Sequence, residues 1–206
     1  MQPEIEIIEL ENEFINKIAQ NLYLDSKRDS FARETYRSLK YMTGGFYKNH
    51  TGYQRLLLGR KGVGKTVFLL EIQKVAKEIF SDNLITIYES YLDNTDSILP
   101  STLICNAIGI KVKNDIEYIE KELIKTSKTI FIVLDEIQNL FIKNSNGKSI
   151  IGELSEIGGA LEGRIYCIIT GYSYNLRQLC FANLAINEKA NYPNYTSLDL
   201  NSTKFG

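Results

Sequence analysis

The chain has no tryptophan, one histidine, two methionines, three prolines and three cysteines in its 206 residues. The single histidine, His50, excludes a His-rich metal site and argues against a Ser-His or Cys-His nucleophile pair. The cysteines, Cys105, Cys167 and Cys180, are odd in number and show no CxxC spacing, so they read as small buried hydrophobes. No sign of charge dominates either. Twenty-four basic and 25 acidic residues leave a net charge of −1, which gives no whole-domain electrostatic grip on nucleic acid and allows only a local basic patch. No apolar run approaches the roughly 18 residues of a membrane span, and the N-terminal MQPEIEIIEL lacks the basic-then-apolar layout of a signal peptide. An intracellular protein, cytoplasmic or nuclear and without a membrane partner, is the expectation. In that setting the Asn-X-Thr triplets starting at Asn49, Asn194 and Asn201 are chance matches.

What is present is ordinary globular composition, 44% hydrophobic and 24% charged, with neither a repeat nor a low-complexity stretch. Periodicity predicts a helix over residues 3–22, with Ile8, Phe14, Ile15, Ile18 and Leu22 near one face. A second helix is predicted over 26–42, started near Ser26 or Asp29 and stopped by Gly44–Gly45. Beyond the turn-rich Thr43–Gly52 the pattern changes to short apolar runs alternating with helical segments. Strands are predicted at Leu56–Leu58, Leu84–Tyr88, Thr129–Leu134, Arg164–Thr170 and Ser197–Leu200. Helices are predicted at Lys65–Phe80, with Val67, Leu69, Leu70, Ile72 and Val75 on the apolar side, and at Pro100–Ile108, Asp115–Lys125, Ile150–Leu161 and Ser173–Phe181. Strands that are continuously apolar belong to a parallel sheet covered on both faces. The expected fold is α/β, with an N-terminal helical segment at 1–50 and the main domain at 51–206.

Gly59-Arg60-Lys61-Gly62-Val63-Gly64-Lys65-Thr66 fits GxxxxGK[ST] without a mismatch. Each part has a physical reason. Glycines let the backbone take positive φ and approach a phosphate closely. The converging N–H groups and the positive N-terminal end of the next helix then hold the anion. Lys65 would reach the terminal phosphates and the Thr66 hydroxyl would bind magnesium. A strand just before and a helix just after supply the context that a chance match lacks. The contact set is Gly59 to Val67, with Arg60 expected to be solvated and Lys61 either solvated or drawing in the triphosphate.

Thr129–Leu134 ends in Asp135 and Glu136, at the strand end where α/β sheets bind ligands. Asp135 would sit beside Thr66, 69 positions upstream, and help hold magnesium. Glu136 would act as general base on the attacking water. At the tip of the next strand, in IITGYS, Thr170 or Ser173 would sense the γ-phosphate or orient water, or else serve only a strand-end turn. Glu89, Gln138, Asn139 and Arg177 are secondary polar candidates. Phe46 and Tyr47 are both candidates to stack on a base.

At these residues the sequence resembles the additional-strand P-loop ATPases, and within them the AAA+ and STAND groups. GRKGVGKT looks like their phosphate loop, IFIVLDE their magnesium motif and IITGYS their sensor strand. The resemblance covers roughly residues 50–200. It implies a three-layer fold with a five-stranded parallel sheet ordered 5-1-4-3-2, the sensor strand lying between the two motif strands. It also implies ATP and Mg2+ as ligands, Lys65, Glu136 and Thr170 as catalytic groups, and a protein partner or further copies of the chain. Such proteins carry a helical lid after the fifth strand. The sequence given stops at Gly206, so a lidless version or a piece of a longer chain is implied. The run from Tyr172 to Phe205 is also similar to the P-loop domains of Crinkler-type proteins. Two enzyme alternatives lack their marks: there is no NKxD tetrapeptide for guanine and no arginine cluster after Leu134 for a small-molecule kinase.

Overall fold

The computed structural model describes residues 2–44, 53–92, 98–113, 115–137, 153, 164–171 and 197–199. Two helices come first, α1 (Gln2–Ala19) and α2 (Ser26–Thr43). Strand β1 (Tyr53–Leu58) runs into the glycine loop and helix α3 (Lys65–Phe80), followed by β2 (Leu84–Ser90). Helices α4 (Pro100–Ile108) and α5 (Ile116–Thr126) precede β3 (Thr129–Asp135), β4 (Ile165–Gly171) and β5 (Ser197–Asp199).

The strands are parallel and lie in the order β2-β3-β4-β1-β5. Four of them carry the sheet, in the order 1-4-3-2. The fifth position is held only by three residues, paired to Leu56–Leu58. The order along the sheet is the expected one, with four strands in the order 1-4-3-2 and a fifth described over three residues. β4 lies between β1 and β3, so the ends of the strands that lead to the glycine loop and to Asp135 flank it.

Helices cover both faces. Leu56, Leu58, Ile130, Ile132, Leu134, Ile165, Cys167 and Ile169 pack against Ile104 and Cys105 of α4 and Ile119 and Leu123 of α5. The alternate residues Leu57, Phe131, Val133, Tyr166 and Ile168 pack against Phe68, Leu69, Ile72, Val75 and Ala76 of α3, and with Phe14, Ile18, Phe31, Tyr36 and Leu39 of α1 and α2. Side chains buried alternately on two faces make each strand read as one apolar run. Helices α1 and α2 therefore share a core with the sheet. An ion-pair network adds to that join: Glu11 accepts from Arg37 at 2.7 and 2.9 Å and from Arg33 at 3.1 Å.

Helix α2 begins at Ser26, as expected, with Asp25 as its cap, whose carboxylate accepts from the N–H groups of Lys27 and Arg28. One local expectation changes. Val67 and Leu70 are not on the buried side of α3: they are 57% and 44% exposed. The core stripe is instead Phe68, Leu69, Ile72, Val75, Ala76 and Phe80. Spaced i, i+3, Val67 and Leu70 share a separate stripe, which apolarity alone does not distinguish from the core. The predicted helix Ser173–Phe181 lies outside the described residues, as does Ile150–Leu161 apart from Glu153.

Candidate nucleotide site

The parallel sheet brings the C-terminal ends of β1 to β4 to one edge, and the site is built there. β1 runs straight into the glycine loop, where Gly62 has φ 87° and Gly64 has φ 85°. A Cβ at either glycine would meet nothing within 4 Å, so it is the left-handed backbone that needs glycine, not a lack of space. Gly64 then caps α3 without a side-chain cap hydrogen bond. The Gly59 N–H reaches the carbonyl of Gly171 at 3.2 Å and ties the loop to the end of β4. Lys65 is buried, and its Nζ donates to the carbonyls of Gly59 at 2.8 Å and Arg60 at 3.2 Å. Arg60 and Lys61 are exposed.

Asp135 is almost wholly buried and collects donors from three directions. Its Oδ2 accepts from Thr66 Oγ1 at 2.6 Å and from the Tyr88 hydroxyl at 2.8 Å. Its Oδ1 accepts from Thr170 Oγ1 at 2.6 Å and from the Glu136 N–H at 2.9 Å. Strand register explains the meeting. Ser90 pairs with Asp135, and Leu134 with Ile169, so Tyr88 and Thr170 flank the carboxylate on the α3 face. Burial, and then the Asp135 carboxylate itself, hold the Tyr88 phenol well above its ordinary value, so it stays a donor at neutral pH. Thr170 is fully buried, with its hydroxyl turned to Asp135.

Glu136 has φ 56°, a left-handed conformation that costs a non-glycine residue about 1–3 kcal/mol. The turn lets the next N–H, that of Ile137, reach the Thr170 carbonyl at 3.2 Å. It also sets Glu136 Oε1 4.0 Å from Lys65 Nζ. Glu89 falls on the other face of β2 from Tyr88. Ser173, Gln138, Asn139, Arg177, Phe46 and Tyr47 lie outside the described residues.

One cluster was missed from sequence. A cavity of about 350 Å³ opens beside the loop, lined by Leu22, Tyr23, Arg28, Val63, Gly64, Val67 and Phe68. The Arg28 guanidinium pairs with Asp25 and donates to the Val63 carbonyl at 2.8 Å, so the start of α2 is pinned to the phosphate loop. Tyr23 is 87% exposed at its rim. Val67, assigned to the contact set from its place after the motif, lines this cavity. Only an apolar residue on the exposed stripe of α3 hinted at it.

The donor set suits a hard cation. A hydroxyl and a carboxylate 2.6 Å apart offer oxygen only, as magnesium prefers when substrate phosphates and water complete its shell. Among the described residues no group of three or more His, Cys, Asp and Glu could hold a metal on its own. No helix among them is long and apolar enough to cross a membrane.

No protein-family model matches the sequence, and no curated protein is similar to it. Solved structures are. The Aeropyrum pernix ORC2 protein in its ADP form superposes with a TM-score of 0.52 at 14% identity, over 87% of this chain and 50% of that one. PCH-2 of C. elegans gives 0.52 at 12% identity, over 90% of this chain and 46% of that one. The chain shares their α/β fold. It spans about half the length of each. The run from Tyr172 to Phe205 lies, apart from Ser197–Asp199, outside the described residues, and the comparisons show no Crinkler-type likeness.

Proposed function

We propose that the chain binds ATP with magnesium at Gly59–Thr66 and hydrolyses it slowly, working as a conformational switch. The observation that carries this reading is the 2.6 Å contact between Thr66 and Asp135, 69 residues apart, at the mouth of a loop with two left-handed glycines. Those are the two motifs whose meeting the chemistry requires. The backbone of Gly59–Gly64 and the start of α3 would wrap the β- and γ-phosphates. Lys65 would exchange its loop carbonyls for phosphate oxygens. Thr66 and Asp135 would hold magnesium, which supplies charge neutralisation between those phosphates. Released from Lys65, Glu136 would accept a proton from the attacking water. Thr170 would keep Asp135 oriented. The base would lie in the cavity between Tyr23, Arg28 and Val67, whose size is within the range of small-molecule sites.

The second reading is a nucleotide-binding regulatory module with little turnover. The contact of Glu136 with Lys65 favours it, because the general base is engaged before any water is positioned. A protein partner or a second copy of the chain would then be needed to reset the site.

One experiment separates these readings. ATP binding and hydrolysis are measured on the native chain, Lys65→Ala and Glu136→Gln. Hydrolysis by the native chain, loss of binding in Lys65→Ala and retention of binding without turnover in Glu136→Gln support the ATPase. Binding without turnover in the native chain selects the module. Absence of ATP binding removes both.

A further inference from the structure

Among the described residues, Asp135 accepts from Thr66, Tyr88, Thr170 and the Glu136 N–H, two donors to each oxygen. An ionised carboxylate offers about four lone-pair sites. These donors fill it. A magnesium ion approaching Asp135, directly or through one of the waters it retains, needs one of those sites. The four donors differ in how readily they yield. The Glu136 N–H is fixed by the backbone. Thr170 is fully buried, and Asp135 is the partner its hydroxyl has among the described residues. Thr66 can turn an oxygen lone pair to the metal and leave its hydrogen on Asp135. Tyr88 is only half-buried and can re-pair with water. It also bonds Oδ2, the oxygen that Thr66 shares and therefore the metal side of the carboxylate.

We propose that Tyr88 competes internally with magnesium for Asp135: its hydroxyl holds Oδ2 and must leave when magnesium and nucleotide bind, so it sets the metal concentration the site requires. The proposal rests on the nucleotide reading above. The residues alone do not hint at it, because a tyrosine at the end of the apolar run LITIY reads as core.

The test is Tyr88→Phe, which removes the hydroxyl and keeps the ring. Fluorescent ATP binding is titrated for both chains in EDTA and across buffered Mg2+, and thermal melting confirms that the variant is folded. The expected result is equal affinity in EDTA and a midpoint for Mg2+-dependent tightening lowered about tenfold in the variant. That is the change one net hydrogen bond to a charged group produces. A second readout is spectroscopic: on adding Mg2+ with ATP, the tyrosine absorption of the native chain should shift as the phenol leaves a carboxylate for water, and the shift should be smaller in Tyr88→Phe. An unchanged or raised midpoint, with ATP still bound, overturns the proposal and leaves the nucleotide reading standing. A native chain that binds no ATP in either condition overturns both, and the two patterns are distinct.

Discussion

The two faces of the sheet are built from the same four strands and differ in kind. Toward α4 and α5, the buried strand residues are Leu56, Leu58, Ile87, Ile130, Ile132, Leu134, Ile165, Cys167 and Ile169, all apolar. Toward α3, every second residue includes Arg55, Thr129, Asp135 and Thr170, each buried, with Tyr88 beside them. Helix α3 answers with buried Lys65 and Gln73. Gln73 Nε2 donates to the carbonyls of Ile87 at 2.8 Å and Phe131 at 3.2 Å. One face is thus a packing surface. The other is a packing surface that turns into polar chemistry at its C-terminal edge. Since strand side chains alternate, a one-residue register slip would move the chemistry to the wrong face.

The largest expected effect separates the faces directly. Ile132→Ala, on the apolar face, should cost about 2–5 kcal/mol of stability, because a fully buried methyl-rich side chain leaves a cavity that closes only in part. Asp135→Asn, on the polar face, should cost roughly 1–2 kcal/mol and abolish magnesium-dependent ATP binding. Chemical denaturation and ATP binding on both variants check this. Equal destabilisation would mean that Asp135 is mainly a structural acceptor, and the contrast between the faces would fail.

A medium effect tests the same face away from the site. Arg55 projects from β1 toward α2, with its guanidinium 2.7 Å from Glu34 and lying over the rings of Phe31 and Tyr166 at 5.7 and 5.9 Å. Thr35 Oγ1 and the Tyr166 hydroxyl meet at 3.1 Å beside it. Burial pushes that phenol up to about 12. Glu34→Ala would strand a buried cation and should cost about 1–2 kcal/mol, discounted because Glu34 is partly exposed. Arg55→Met removes the charge along with the need for a partner and should cost less. Urea unfolding of the pair decides. The reverse order would show that the ring contacts of Arg55, not its ion pair, hold it there.

How much of this was legible follows from the range of each signal. The glycine loop, Asp135 and Glu136 were legible because each is local: eight consecutive residues, or two acids ending an apolar run. The continuous apolarity of β3 and β4 signalled burial on both faces. Tyr88 was not legible, because its role needs the register of β2 against β3. Arg28 was not, because a helix arginine looks solvated until Val63, 35 residues on, is seen to lie beside it. Val67 and Leu70 were misplaced because apolarity gives a residue's preference but not which stripe of α3 the sheet will cover.

The smallest expected effect lies in the outer layer of the α3 side, where α1 joins α2. Burial works to raise the Glu11 carboxyl, but hydrogen bonds and charge from Arg37 and Arg33 outweigh it and hold the group below its ordinary 4.5. A depressed folded value means that the unfolded chain binds the proton more readily. The contribution is therefore fully present above about pH 4.5 and is lost as pH falls through the lower folded value. Its size should be about 1 kcal/mol, since Arg37 is largely exposed. Unfolding free energy measured from pH 6 down to pH 3 should fall less steeply in Glu11→Gln than in the native chain. Identical slopes would mean that the join of α1 to the polar face is made by Phe14, Ile15 and Ile18 alone, and that the polar character of this side ends at the sheet.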